Sequence, residues 1–186
     1  TLFSSLINSM HIHGSNHIIA EDIERKPINY KKFIARSFGL GSLLNSQTKG
    51  QQVVGVMLPT SIGCALTFFG LQAYGKIPAM LNFSAGSSSI ITACNAAQVK
   101  QVITSKRFIE AGKLDELVND ISRNGIEVKY LEDLSKKVSI KNKIMAIYGS
   151  TFPESAYSKT GNKAQPDDIA YILFTSGSEG TPKGVA

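Results

Sequence analysis

Residues 169–184 read I-A-Y-I-L-F-T-S-G-S-E-G-T-P-K-G. The first six are apolar, β-prone and of strand length. The rest are glycines, hydroxyl-bearing residues, one carboxylate, one proline and one lysine. A strand, then a glycine-rich loop, then a lysine is suited to holding phosphate. Gly177, Gly180 and Gly184 let backbone N–H groups approach a ligand closely and permit φ > 0. Successive N–H groups in such a turn form an anion-binding concavity. Thr175, Ser176, Ser178 and Thr181 add hydroxyls, Lys183 adds a mobile positive charge, and Pro182 stiffens the loop before it. On composition alone, a hydroxyl-rich turn without a ligand remains the competing reading. The Walker template requires four residues between its glycines and Lys-Ser/Thr after the second. Here two residues separate Gly177 from Gly180, and Gly184 follows Lys183, which disfavours a kinase- or GTPase-type site.

Upstream, strand and helix patterns alternate. Apolar residues at 2, 3, 6, 7 and 10 predict a first helix that runs out at His11-Ile12-His13-Gly14. His17–Ala20 reads as a short strand, and Asn29 as the cap of a helix from Tyr30 to about Asn45. Gln51–Leu58 is nearly continuously apolar, as for a strand covered on both faces. Ser61 starts a helix whose Ile62, Ala65, Leu66 and Phe69 fall on one stripe, closed by Gly75. Ile77–Leu81 is a strand, and Asn82–Ser89 leads into a helix to about Ala97. Gln101–Thr104 is a strand, Leu114, Leu117, Val118 and Ile121 have helical spacing, and Ile126–Leu131 is a strand. Glu132–Tyr148 predicts short helices, and Gly149–Asp168 a polar connector. This alternation predicts an α/β fold with a mostly parallel sheet flanked by helices. In such folds ligands bind beyond the carboxyl ends of strands, where the 175–184 motif would sit.

The 186 residues are 42% hydrophobic and 18% charged, enough for a globular core. The length suits one domain, or one domain plus a piece of another. No apolar run reaches the roughly 18 residues of a membrane span, and the opening T-L-F-S-S-L-I-N shows no signal peptide. A cytoplasmic location is expected. Cys64 and Cys94 lie in apolar helical patterns and read as free buried thiols of a reducing compartment. The net charge is +6, but from Lys100 to Lys143 ten basic residues are interspersed with seven acidic ones. Without a clustered basic face, nucleic-acid binding is not expected. His11, His13 and His17 are the one possible metal cluster, and with no cysteine nearby no metal site is expected there.

The wording of Y-I-L-F-T-S-G-S-E-G-T-P-K-G-V closely resembles the phosphate-loop signature of the adenylate-forming superfamily of acyl-CoA synthetases, luciferases and amino-acid-activating domains. I-N-Y-K-K-F at 28–33, V-G-V-M-L-P-T-S at 54–61 and F-G-L-Q-A-Y-G-K-I-P-A-M-L-N at 69–82 resemble further segments of that superfamily. P-A-M-L-N-F-S-A-G, I-T-S-K-R-F-I-E-A-G-K-L and Y-L-E-D-L resemble one branch most closely. It is the branch of bifunctional bacterial acyl-[acyl-carrier-protein] synthetase/2-acylglycerophosphoethanolamine acyltransferases (the Aas branch). The resemblance implies that residues 1–186 are the N-terminal subdomain of an AMP-binding domain, ending just after the phosphate loop. It also implies ATP and Mg²⁺ as co-reactants, a fatty acid as substrate, acyl carrier protein or CoA as thiol acceptor, and a lysophospholipid substrate in the bifunctional parent. The parent would then associate with the bacterial inner membrane. An adenylating ligase for an aryl or amino acid, or a non-catalytic nucleotide- or carrier-binding module, is the alternative.

Carried over residue by residue, the nucleotide-binding positions are Thr175, Ser176, Gly177, Ser178, Gly180, Thr181, Lys183 and Gly184. Glu179 departs from the commoner threonine. Beside phosphates its carboxylate must point into the scaffold or meet a cation, and the scaffold is the preferred reading. The family's adenine-stacking aromatic, ribose-binding Asp, magnesium-binding Glu and catalytic Lys lie downstream, so no catalytic residue or metal ligand is placed on these residues. The fragment alone is expected to be inactive.

Overall fold

A computed structural model describes residues 1–176 and 182–185. In chain order the helices are α1 (Leu2–His13), α2 (Tyr30–Gln47), α3 (Ile62–Ala73), α4 (Ser87–Ala96), α5 (Lys106–Gly112), α6 (Asp115–Arg123), α7 (Leu131–Ser135), α8 (Ile140–Thr151) and α9 (Pro153–Ser158). The strands are β1 (Ile18–Ala20), β2 (Ile28–Asn29), β3 (Val53–Val56), β4 (Ile77–Met80), β5 (Gln101–Thr104), β6 (Glu127–Tyr130), β7 (Ile172–Ser176) and β8 (Pro182–Val185). The chain divides into two compact units.

The first unit comprises residues 1–49, 60–76 and 137–168. Its core is aromatic: Phe3, Phe33 and Phe38 are fully buried, with Phe3 edge-on to Phe38 at 5.0 Å between centroids. As expected, Asn29 caps α2, its side chain accepting from the Lys32 amide at 2.9 Å, and Ser61 caps α3 by accepting from the Cys64 amide at 3.1 Å. Each cap satisfies one of the amides a helix start leaves unpaired. Helices α2 and α3 cross at Gly41 and Gly70, where a β-carbon on Gly70 would lie 3.1 Å from the Gly41 nitrogen. Helix α8 leans on α2 through Asn142, which donates to Ser42 Oγ at 3.0 Å, and through Gly149, whose missing β-carbon leaves space for the Phe38 ring.

One expectation is borne out and one corrected in this unit. The short strand read at 17–20 forms at Ile18–Ala20. It pairs antiparallel with β2 in a ladder of its own, because Tyr30 and Lys31 fold their amides back onto the His17 and Ser15 carbonyls. The expected connector at 149–168 is partly helical. Helix α8 runs to Thr151, and Pro153 opens α9 at a position where its missing N–H costs nothing.

The second unit comprises residues 50–59, 77–136 and 169–186 and holds a six-stranded sheet in the order β6-β5-β3-β4-β7-β8. The first five strands in that order are mutually parallel, and β8 is antiparallel to β7. This is the α/β, mostly parallel sheet flanked by helices that the alternation predicts. Val54, Val56, Val102 and Ile103 are buried in its centre. Gly55 on β3 leaves room for three neighbours: an added β-carbon would sit 2.8 Å from Val102, 3.0 Å from Val99 and 3.1 Å from Leu81. Helix α5 was not expected from the sequence. It is short, with one buried apolar residue, Ile109, and is started by Ser105.

Among the described residues no helix is long and apolar enough to cross a membrane.

Candidate functional site

The candidate site is the end of the sheet beyond β4, where β7 projects. The β4–β7 ladder pairs Ala79 with Ile172 and Met80 with Leu173. Residues 174–176 therefore run past the last paired residue of β4, supported by β8. Alternation along β7 sends Ile172 and Phe174 against the core of the second unit and leaves Leu173 and Thr175 exposed on the other side.

Four of the eight nucleotide-binding candidates lie in this hairpin. Thr175 and Ser176 are the last residues of β7; Lys183 and Gly184 are in β8. Cross-strand register puts Thr175 opposite Lys183, Ser176 opposite Pro182 and Phe174 opposite Gly184. The Thr175 hydroxyl donates to the Lys183 carbonyl at a long 3.5 Å, and both side chains are exposed. A hydroxyl and an ammonium thus stand on adjacent strands at the carboxyl end of the sheet. Gly177, Ser178, Gly180 and Thr181, with Glu179, lie outside the described residues.

The expectation of a loop continuing to Gly184 is corrected. Lys183 and Gly184 belong to a strand, because an antiparallel partner supplies the ladder that Pro182 and Gly184 would not specify alone. Gly184 is not at positive φ. Its lack of a β-carbon serves packing, since one would lie 3.3 Å from Ile172 and 3.6 Å from Phe174.

At the carboxyl ends of β5 and β6 a second polar cluster forms, which the sequence did not signal. Glu132 accepts from the Ser105 hydroxyl at 2.7 Å and from the Lys106 and Arg107 amides at 2.9 and 3.3 Å. Burial alone would raise its carboxyl pKa, but these donors hold it below the ordinary value. Asp133 pairs with Lys106 at 2.7 Å. The acceptors of Glu132 are spent on the start of α5, so the cluster is structural.

Of the three histidines, His13 and His17 lie 5.6 Å apart between ring centroids, and His11 is engaged elsewhere. His11 pairs with Glu154, while His13 and His17 lie against Tyr30. Among the described residues no group of His, Cys, Asp or Glu could hold a metal ion, and no residue here is assigned to Mg²⁺. Cys64 and Cys94 are free. Burial pushes the Cys94 thiol up to about 12 and also raises that of Cys64.

The hydroxyl and the lysine thus stand at the end of a mostly parallel α/β sheet where folds of this type bind ligands. The sequence profile of the AMP-binding enzymes matches residues 13–186, and the chain belongs to that family. It is 25% identical over 130 residues to 4-coumarate–CoA ligase 1 of Petroselinum crispum, covering 70% of this chain and 22% of that protein. It is 27% identical over 173 residues to zwittermicin A synthase ZmaJ of Bacillus cereus, covering 90% of this chain and 27% of that protein. Its fold is similar to a fatty acyl CoA synthetase of Mycobacterium tuberculosis, with a TM-score of 0.72 at 16% identity, covering 99% of this chain and 34% of the other. The chain thus spans about a quarter of the length of these two curated relatives.

Proposed function

We propose that the chain is the N-terminal subdomain of an AMP-forming ligase that activates a fatty acid, and that the Thr175–Gly184 hairpin binds the phosphates of ATP. The observation that carries this reading is the register of the hairpin, which sets Thr175 opposite Lys183 at the carboxyl end of the sheet. In the proposed reaction a carboxylate attacks the α-phosphorus of ATP, forming acyl-adenylate and releasing pyrophosphate. A thiol of CoA or of a carrier protein then displaces AMP. A carboxylate is a poor acyl donor, and adenylation supplies a good leaving group. Lys183 and the hydroxyls of Thr175, Ser176, Ser178 and Thr181 neutralise charge as it gathers on the departing pyrophosphate. Mg²⁺, when bound with the nucleotide, supplies further neutralisation of the phosphates.

The fatty acid, the carrier-protein acceptor and a bifunctional parent that also acylates lysophospholipid rest on the likeness of residues 78–86, 103–114 and 130–134 to that branch. The names of curated relatives, 4-coumarate–CoA ligase 1 and an L-proline–[L-prolyl-carrier protein] ligase, favour a second reading, in which the acid is an aryl or amino acid. Residues 1–186 alone are proposed to be inactive, since the remaining catalytic groups of the resembled enzymes lie downstream. The test is ATP–pyrophosphate exchange by the full-length protein against fatty, aryl and amino acids. Exchange driven by fatty acid supports the first reading, and exchange driven by 4-coumarate or an amino acid supports the second. No exchange with any acid removes both.

A further inference from the structure

Three polar side chains meet where α8 gives way to α9. Phe152 ends α8, Pro153 opens α9, and the fully buried Ala156 anchors that short helix. Ser155 and Lys159, spaced i, i+4, then share the side that reaches back to Tyr148. The Tyr148 hydroxyl lies 2.7 Å from Ser155 Oγ, and Lys159 Nζ donates to it at 2.8 Å. The same ammonium lies 4.6 Å from the centre of the Tyr148 ring. Unlike Glu132, whose bonds hold the start of α5, these side chains bond one another.

The arrangement favours an ionised phenol. A phenolate oxygen can accept from the serine and the lysine together, and the ammonium offsets its charge. The bond from Lys159, seconded by that from Ser155, holds the Tyr148 phenol below its ordinary value. Of the charges on α8 and α9, Lys159 is the one that bears on it; Glu154 is engaged by His11. Three other tyrosines are placed differently. Tyr30 is buried, burial raises the Tyr74 phenol, and the Tyr157 hydroxyl sits between Thr1 Oγ1 and Asn162 Nδ2 at 2.9 and 3.0 Å.

We propose that Tyr148 is an acyl-acceptor site, a nucleophilic phenol that takes the acyl group of an acyl phosphate, with Ser155 and Lys159 as its positioning residues. The phenolic proton goes to solvent, and the Tyr148 oxygen attacks the carbonyl carbon. The bond from oxygen to that carbon forms, the bond from the carbon to the phosphate oxygen breaks, and phosphate leaves with the electron pair. The product is an aryl ester. An ammonium beside the nucleophile favours a donor whose leaving group is an anion, which selects a mixed anhydride with phosphate over a neutral ester. The proposal uses no residue of the hairpin and stands apart from the ligase reading.

The probe is acetyl phosphate, applied to the full-length protein near neutral pH and read by mass spectrometry of its peptides. Acetylation of Tyr148 that hydroxylamine removes is expected, since hydroxylamine cleaves an aryl ester and leaves an acetylated lysine intact. Tyr148→Phe should lose this label. Lys159→Met should slow labelling at least about tenfold and move its pH profile upward, because the charged donor is gone. Lys159→Arg should restore most of the rate, and Ser155→Ala should slow it less than Lys159→Met. Circular dichroism checks that the variants fold. Absence of label at Tyr148, a label that resists hydroxylamine, or an unchanged rate and pH profile in Lys159→Met would overturn the proposal. A Tyr148 covered by the rest of the full-length chain would give the first of these results.

Discussion

Substituting alanine for Gly55 tests the packing that holds the sheet. Gly55 lies on β3, between β4 and β5, and its missing side chain is the space that Val102, Val99 and Leu81 fill. The new methyl would sit 2.8, 3.0 and 3.1 Å from carbons of those residues, all inside ordinary contact distance. Two of the three are valines with little rotamer freedom, and Val99, Val102 and Leu81 are all buried. Overpacking of this kind costs about 1–3 kcal/mol. Against it stand about 0.8 kcal/mol from burying a methyl group and about 0.5–1 kcal/mol from restricting the unfolded chain. Alanine should therefore cost up to about 1.7 kcal/mol, and valine more, since two further methyls meet the same walls. Urea unfolding followed by circular dichroism reads this as a midpoint lowered by up to about 1 M for Gly55→Ala and further for Gly55→Val. Gly63→Ala is the control: in α3, its β-carbon would meet Ser61 Oγ alone, at 3.6 Å, and should leave the midpoint unchanged or higher. An unchanged midpoint for Gly55→Val would refute the packing argument.

Other perturbations read other parts of the structure. Asn29→Ala should cost about 1 kcal/mol, because the Lys32 amide loses its acceptor; thermal melting checks it, and Asn29→Asp should restore most of the loss. Glu132→Gln should cost about 1–2 kcal/mol near neutral pH, as a charged acceptor of three bonds becomes a neutral one. The folded pKa of Glu132 lies below the ordinary carboxyl value of 4.5, so its contribution is fully present above that value and is lost as pH falls through the folded one. Acid titration of stability should accordingly show a shallower loss below about pH 4.5 in Glu132→Gln than in the parent. At pH 8 Cys94, with its thiol raised to about 12, should resist iodoacetamide until the chain unfolds, and Cys64 should react first; mass spectrometry of labelled peptides decides the order.

The parts of the fold visible in the sequence are those with a local physical signature. Asn29 and Ser61 announce helix starts because a short polar side chain before an apolar stripe has one evident use. The runs at 53–58 and 77–81 announce strands because they are apolar on both faces. Three features were not visible, each for a reason. Strand β8 contains Pro182 and Gly184, which weaken any strand on their own, and it exists through its pairing with β7. Helix α5 is too short to show a period and depends on Glu132, twenty-seven residues beyond Ser105, to bind its first amides. The β1–β2 pairing depends on a chain reversal through 21–27 that no single motif encodes. The site shows the same division. Chemical identity was legible in the hydroxyls, glycines and lysine of 175–184, whereas the opposition of Thr175 and Lys183 is a product of cross-strand register. The outward turn of Ile140, Ile144 and Ile147 on α8 was hidden because their spacing is that of a core stripe, and the helix faces them out to place Asn142 and Gly149 against α2.

The central claim is that Lys183, held opposite Thr175, serves acid-dependent adenylation. The most direct measurement is ATP–pyrophosphate exchange by the full-length protein and by its Lys183→Ala variant, with a long-chain fatty acid as the carboxylate. The account predicts fatty-acid-dependent exchange in the parent and a rate lower by about 10²-fold in the variant, at unchanged thermal stability. Exchange that proceeds equally in both proteins would contradict it.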